Sequence, residues 1–331
     1  MRGFLRQRAR RSRAAIICHK MYLNWRMRAK YAHGEIDESI GSTHSWKSLE
    51  ESLAYIDWQY TDYLTYANLG SKELAGKKVL EIGFGDNVGV ALKFLADGAG
   101  KVVCVDKFYS RRDEENERVI YEKLRATLGA EQQHRFDSVV NLSNGIKIDE
   151  QKLRRVYGQE LPEFATGNEV GSYDVIVSRA VIEEIYDPAP LFAACDRLLR
   201  PGGLMIHKID LSDYHMFSGA GMNPLTFLTI SEWVYRRMAS SSGIPNRKLL
   251  GYYRDLVRGM GYDVRVFASN IIGTGDIKPY KETIAVNVDY GDAELAFVKN
   301  IRPKLSPEFA ALPDEELLVS GIFMVAKKPQ S

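Results

Sequence analysis

Three stretches of this 331-residue chain carry side chains able to do chemistry. The densest is His207-Lys208-Ile209-Asp210-Leu211-Ser212-Asp213-Tyr214-His215. An imidazole suits proton transfer near neutral pH, which makes His207 a candidate general base. Asp210, Asp213 and His215 follow within eight residues. They can orient His207, bind acceptor hydroxyls together with Tyr214, or hold a divalent ion. This spacing lacks the fixed geometry of a helical HExxH, so no metal is expected. Asp210 can equally cap the turn that follows. The second stretch is Glu81-Ile82-Gly83-Phe84-Gly85-Asp86-Asn87-Val88-Gly89, with Asp106 further on. The third, Ser178-Arg179-Ala180-Val181-Ile182-Glu183-Glu184, sets a hydroxyl, a guanidinium and two carboxylates side by side.

The elements around these residues would place them together. KKVLEIGFG reads as a buried strand breaking into a glycine turn, and NVGVALKFLADGA as the helix that follows. KVVCVD is a second buried strand ending at Asp106, and a charged helical segment covers roughly 111–128. GSYDVIVSRA is another strand, and PAPLFAACDRLLRPGG is a helix closed by Pro201-Gly202-Gly203. LMIHKIDL, YDVRVFAS and SGIFMVAKK are further strands. This alternation implies a mostly parallel sheet with helices on both faces. Ligands of such sheets bind at the carboxyl edge of the strands. Gly83 and Gly85 let the backbone turn sharply there, and Asp106 can accept from a ribose diol. NAD and S-adenosylmethionine (SAM) both fit that carboxylate. NAD prefers GxGxxG, which tightens a helix onto a pyrophosphate. Here Val88 holds the third position and Gly89 comes one later. SAM has no phosphate, and its ammonium suits an acidic turn beside Glu81. The turn therefore favours SAM.

Composition narrows the class. An apolar fraction of 45% and a net charge of +2 describe an ordinary globular protein. Cys18, Cys104 and Cys195 form no CxxC pair, which suits a reducing cytosol and argues against a disulfide scaffold. Cys104 and Cys195 read as apolar core. Residues 1–34 hold ten Lys/Arg and no acid, leaving −8 for the remainder. Phe4, Ile16, Leu23 and Trp25 are interspersed with those cations. Such an arm can be a solvated extension, rest on an anionic membrane surface, or touch nucleic acid phosphates. It lacks the apolar run of a signal peptide. The division expected is a basic arm over 1–34, a helical lead-in over 35–75 and a main domain over 76–331. Insertions are expected near 129–170, 212–250 and 271–317.

Taken in order, VLEIGFGDNVG, CVD, YDVIVSRAVIEEI and LLRPGGLMIHKIDL resemble the successive motifs of the class I SAM-dependent methyltransferases. That resemblance covers roughly 75–330 and implies a Rossmann-like seven-stranded sheet whose last strand, SGIFMVAKK, runs antiparallel. It implies SAM as cofactor and S-adenosylhomocysteine as product. The cofactor would be held by Glu81, Gly83, Phe84, Gly85, Asn87, Asp106, Lys107, Ser178 and Arg179. His207, Asp210 and Glu183 are the candidates for the chemistry. The sequence departs from the family at Asn87, which displaces the third glycine. It departs again at Glu184, where the family often has His, so no role is carried over to that side chain.

HKIDLSDYHMFSGAGMNPLTFL and SSSGIPNRKLLGYY look similar to uncharacterised methyltransferases of polysaccharide and glycoconjugate biosynthesis. That likeness implies a sugar or other polar acceptor, touched by Asp213, Tyr214, His215, Asn246 and Arg247. A cytoplasmic O-methyltransferase, peripheral on the inner membrane surface, is the resulting expectation. A small-molecule methyltransferase, an RNA methyltransferase tethered by the basic arm, and a non-catalytic SAM-fold scaffold are the alternatives. No [DN]PP[YFW] follows the fourth strand, which disfavours amino-group methylation of adenine, cytosine or glutamine. The lack of a Pro-Cys pair there disfavours C5-cytosine chemistry, and nucleic acid is not an expected partner.

Overall fold

The computed structural model describes residues 12–33, 41, 43–167 and 169–330. Its centre is set by three apolar runs. β1 (Lys78–Ile82), β2 (Lys101–Asp106) and β4 (Tyr173–Arg179) pair in parallel, with β1 between the other two. A strand with neighbours on both edges and helices on both faces has no wet side, so these sequences are continuously apolar instead of alternating. β3 (Leu153–Tyr157) adds to the outer edge of β2. β5 (Leu199–Asp210) extends the sheet beyond β4. β6 (Asp263–Ile271), β7 (Gly275–Lys281) and β8 (Val319–Lys327) complete it in the order β3-β2-β1-β4-β5-β8-β6-β7. β8 runs antiparallel to both of its neighbours.

The sheet therefore has eight strands where the sequence implied seven. The additional strand, β7, lies inside the expected insertion 271–317. Pro279 is tolerated there because one edge of β7 has no partner strand. The expected insertion 129–170 also contains part of the frame, since β3 falls within it. Leu153 is buried while Arg154 is exposed, the mixed pattern of an edge strand.

One face of the sheet is covered by α2 (Leu49–Ala67), α3 (Gly89–Ala96), α4 (Glu114–Ala126) and α5 (Ala130–Asp137), with Tyr63, Phe94, Tyr121 and Phe136 in the core between them. The opposite face carries α6 (Ala189–Leu198), α7 (Glu232–Ala239), α8 (Leu250–Gly259) and α9 (Asp292–Ile301). Cys104 and Cys195 are fully buried, one in each core.

The basic arm is helical where it is described. α1 (Arg13–Ala32) packs on α7 and turns Ile16, Ile17 and Met21 toward the second core. The rest of the arm, residues 1–11 and 34, lies outside the described residues. α2 begins at a reciprocal cap: Ser48 Oγ accepts from Glu51 N at 3.1 Å, and Ser48 N donates to Glu51 Oε2 at 2.8 Å. Its buried positions Ser52, Ile56, Gln59, Tyr60 and Tyr63 recur at helical spacing, so one face rests on the sheet, and Ile56 packs against Gly89 just after the glycine turn.

Candidate active site

The turn after β1 is fixed by glycine for two different reasons. Gly83 has φ +73°, and a Cβ there would lie 2.2 Å from Val181 Cγ2. Gly85 has φ +61°, and a Cβ there would lie 2.4 Å from the Gly41 carbonyl oxygen. Left-handed backbone and close packing both require glycine. The close approach expected of a ligand at these residues is matched by protein atoms that crowd them as well. Gly85 N donates to Asp106 Oδ2 at 3.0 Å and Phe108 N to Asp106 Oδ1 at 2.8 Å. Each oxygen of that carboxylate keeps a lone pair free, which is what a diol needs. Asp86 faces the other way. It accepts from His44 N at 3.0 Å and Ser45 N at 3.1 Å, binding the chain ahead of α2 across the turn.

These elements enclose a cleft of about 680 Å³ at the carboxyl edge of the sheet. Glu81, Asp86, Asp106 and Glu184 are among its carboxylates. Burial lifts the Glu81 pKa to about 7, with Cys104 Sγ donating to it at 3.6 Å. Burial, then the charges of Glu183 and Asp106, lift Glu184 to about 8. Arg179 lines the cleft with its guanidinium 4.0 Å from the Trp58 ring centre and 3.5 Å from Asp62. Asp62 is also held by Lys278 Nζ at 2.9 Å and Tyr280 OH at 2.6 Å. His44 is held neutral by burial and by Lys47, its pKa pushed down to about 4. His44 Nδ1 and Asn87 Nδ2 are buried without a hydrogen-bond partner among the described residues, and both residues line the cleft.

That donor set suits SAM. Asp106 offers a diol acceptor, the carboxylates suit a ligand carrying a sulfonium and an ammonium, and Asn87 Nδ2 is a spare donor for a carboxylate. Glu81, Gly83, Phe84, Gly85, Asn87, Asp106, Lys107 and Arg179 all line the cleft. Ser178 does not; its hydroxyl is spent on His207 Nδ1 at 2.8 Å.

The acceptor candidates are corrected by burial. His207 has no exposed surface, stands edge-on to Phe192, and is pushed down to about pKa 3 by its dry surroundings. It sits within the sheet and is not among the residues lining the cleft, which leaves it poorly placed to collect a proton there. Glu183 is 1% exposed and accepts from Asp210 N at 3.1 Å and Tyr214 OH at 3.0 Å. Asp210 caps Ser212 N at 2.7 Å, and Asp213 accepts from Phe217 N and Ser218 N at 2.8 Å each. Asn246 Nδ2 donates to the carbonyls of Ile182 at 3.0 Å and Ile185 at 2.8 Å. Arg247 is buried on the Ile230 carbonyl and Glu232, while His215 is exposed. None of these residues lines the cleft. Glu183 and Asn246 fasten the segment between β5 and α8 onto the turn after β4, while Asp210, Asp213 and Arg247 hold that segment's own backbone.

The walls that the motifs did not mark are Tyr31 of α1, His44, Tyr55 and Gln59 of the lead-in, Tyr186, and Arg236 of α7. Of the lead-in's aromatics, Tyr55 is a wall of the cleft and Tyr60 is core.

A methyltransferase domain family matches residues 55–255. The chain belongs to that family, and SAM is its methyl donor. Among curated relatives, the ubiquinone biosynthesis O-methyltransferase of Aromatoleum aromaticum is 30% identical over 39% of this chain and 42% of its own length. The protein of that name from Escherichia coli O157:H7 is 26% identical over 52% of this chain and 58% of its own. The chain spans about half the length of the curated relatives it matches. Among solved structures, Haemonchus contortus phosphoethanolamine N-methyltransferase 2 with S-adenosylmethionine has 15% identity and a TM-score of 0.44, over 82% of this chain and 52% of that one.

Proposed function

We propose that the protein transfers the SAM methyl group to a hydroxyl of a polar acceptor, a saccharide or lipid-linked glycoconjugate, and that Glu184 receives the hydroxyl proton. One observation carries the role of Glu184. Among the carboxylates lining the cleft, Glu184 has no hydrogen-bond partner among the described residues, while Glu81, Asp86 and Asp106 are each engaged. It stands in the short helical turn after β4 that Asn246 braces.

When bound, SAM supplies an electrophilic methyl on a sulfonium. The chain's part is to align the acceptor, exclude water and take one proton. A sugar hydroxyl is a weak nucleophile at neutral pH, so a base of raised pKa within the cleft lowers the barrier to its attack. Tyr31, Tyr55 and Tyr186 offer ring faces, and Gln59, Arg236, Ser240 and Ser241 offer hydrogen bonds, a mixture that suits a sugar. The relatives' names, ubiquinone biosynthesis O-methyltransferases, favour a second reading, a small-molecule acceptor, for which the same base would serve.

The test is transfer from methyl-labelled SAM to a panel of glycans and a panel of phenols, with the product mapped by NMR. An O-methyl sugar supports the proposal. Labelling of amines or phenols alone would overturn the acceptor assignment. Homocysteine-product binding without turnover on any acceptor would favour the scaffold alternative.

A further inference from the structure

We infer that α1 and α7 together form a surface that seats the protein on an anionic lipid bilayer. Three of the largest exposed apolar side chains lie on these two helices: Tyr22 (53% exposed), Trp25 (65%) and Trp233 (63%). The rings of Tyr22 and Trp25 are 6.2 Å apart, and the Arg237 guanidinium covers the Trp233 ring at 3.5 Å. The helices are tied side by side. Arg13 donates to the Thr229 carbonyl at 3.1 Å, Asn24 Nδ2 to Ser240 Oγ at 3.0 Å, and Ser241 N to Asn24 Oδ1 at 2.7 Å. The inward side of α1 runs through partly buried Ile17 and Met21 and buried Asn24, while Cys18, Tyr22, Trp25 and Arg26 are exposed.

Charge names the occupant. α1 contains no acidic residue. The one acid of α7, Glu232, is held by Arg247 and Tyr186. Arg26, Arg28, Arg236 and Arg237 are exposed, and none forms an ion pair among the described residues. Residues 1–11 contribute five more arginines by sequence. Tryptophan and tyrosine beside unpaired arginines fit the boundary between lipid headgroups and acyl chains, where rings bury and guanidinium groups meet phosphates. No helix of the described residues is long and apolar enough to cross a membrane, so the contact lies on the surface. Arg236 is exposed and also lines the cleft, as do Tyr31 of α1 and Ser240 and Ser241 after α7. The cleft therefore opens beside this face. The inference stands apart from the identity of the acceptor.

The experiment is co-sedimentation of the full chain with phosphatidylcholine vesicles and with vesicles in which about a third of the lipid is phosphatidylglycerol. Binding to the anionic vesicles alone is expected, falling about tenfold or more when salt is raised. A Trp25→Ala, Trp233→Ala double variant should bind about tenfold more weakly while keeping its affinity for S-adenosylhomocysteine, which shows that the fold is intact. Equal binding to both vesicle types overturns the inference, as does no binding, or preferential capture of transfer RNA. Wild-type binding by the double variant would assign the affinity to residues 1–11 and overturn the role of α1 and α7.

Discussion

Glu184 is a base only while it is ionised, so its raised pKa should write itself into the rate. Turnover should climb with pH and level off at or below about 8, because a bound sulfonium favours the charged carboxylate. Glu184→Gln should cut kcat by about 100-fold or more and flatten that profile, with little change in S-adenosylhomocysteine affinity. His207 predicts a contrasting pattern. It is sealed in the sheet against Ser178 and Phe192, so His207→Gln should lower the melting temperature and leave the pH profile of the rate unchanged. A profile that moved with His207 and stayed with Glu184 would reverse the two roles. The sequence pointed to His207 because its type and place near a strand end fit a base. Burial, which no residue letter records, removes it. Glu184 was legible as a carboxylate but was discounted because the family often has His there.

The β1–β2–β4 edge of the cleft was readable in the sequence and the opposite wall was not. β1, β2 and β4 announce themselves as apolar runs, and Gly83, Gly85, Asp106 and Arg179 stand at or just after their carboxyl ends, where each run breaks. The opposite wall comes from α1, the turn at His44, α2 and the end of α7, which meet only through tertiary packing. β3 was missed because Arg154 and Arg155 are tolerable on an edge and break the apolar signal. Asp86 was visible as a letter of the turn, but its role as a clamp on His44 and Ser45 was not. Asp86→Ala releases two backbone N–H groups of that wall. It should weaken S-adenosylhomocysteine binding about tenfold or more, measured by calorimetry, with the secondary structure retained by circular dichroism.

For the whole molecule, Glu81 and Glu183 at about 7 and Glu184 at about 8 stand above the ordinary carboxylate value of 4.5. A raised acid binds its proton more tightly in the folded state. Its contribution to stability is therefore complete below about 4.5 and is lost as pH rises through about 7 to 8. The ligand-free protein should melt at progressively lower temperature between about pH 5 and 9, and Glu81→Gln should reduce that slope. SAM, by bringing positive charge into an acid-lined cleft, should protect most at the alkaline end. A melting temperature that rises with pH over this range would show that other groups dominate.

In the proposed mechanism one cleft holds the methyl donor on Asp106 and leaves Glu184 free for the acceptor. The decisive measurement is calorimetric titration of the wild type, Asp106→Ala and Glu184→Gln with S-adenosylhomocysteine. Micromolar binding to the wild type, its loss in Asp106→Ala, and near wild-type affinity in Glu184→Gln are expected. Undiminished binding to Asp106→Ala, or none to the wild type, would contradict that mechanism.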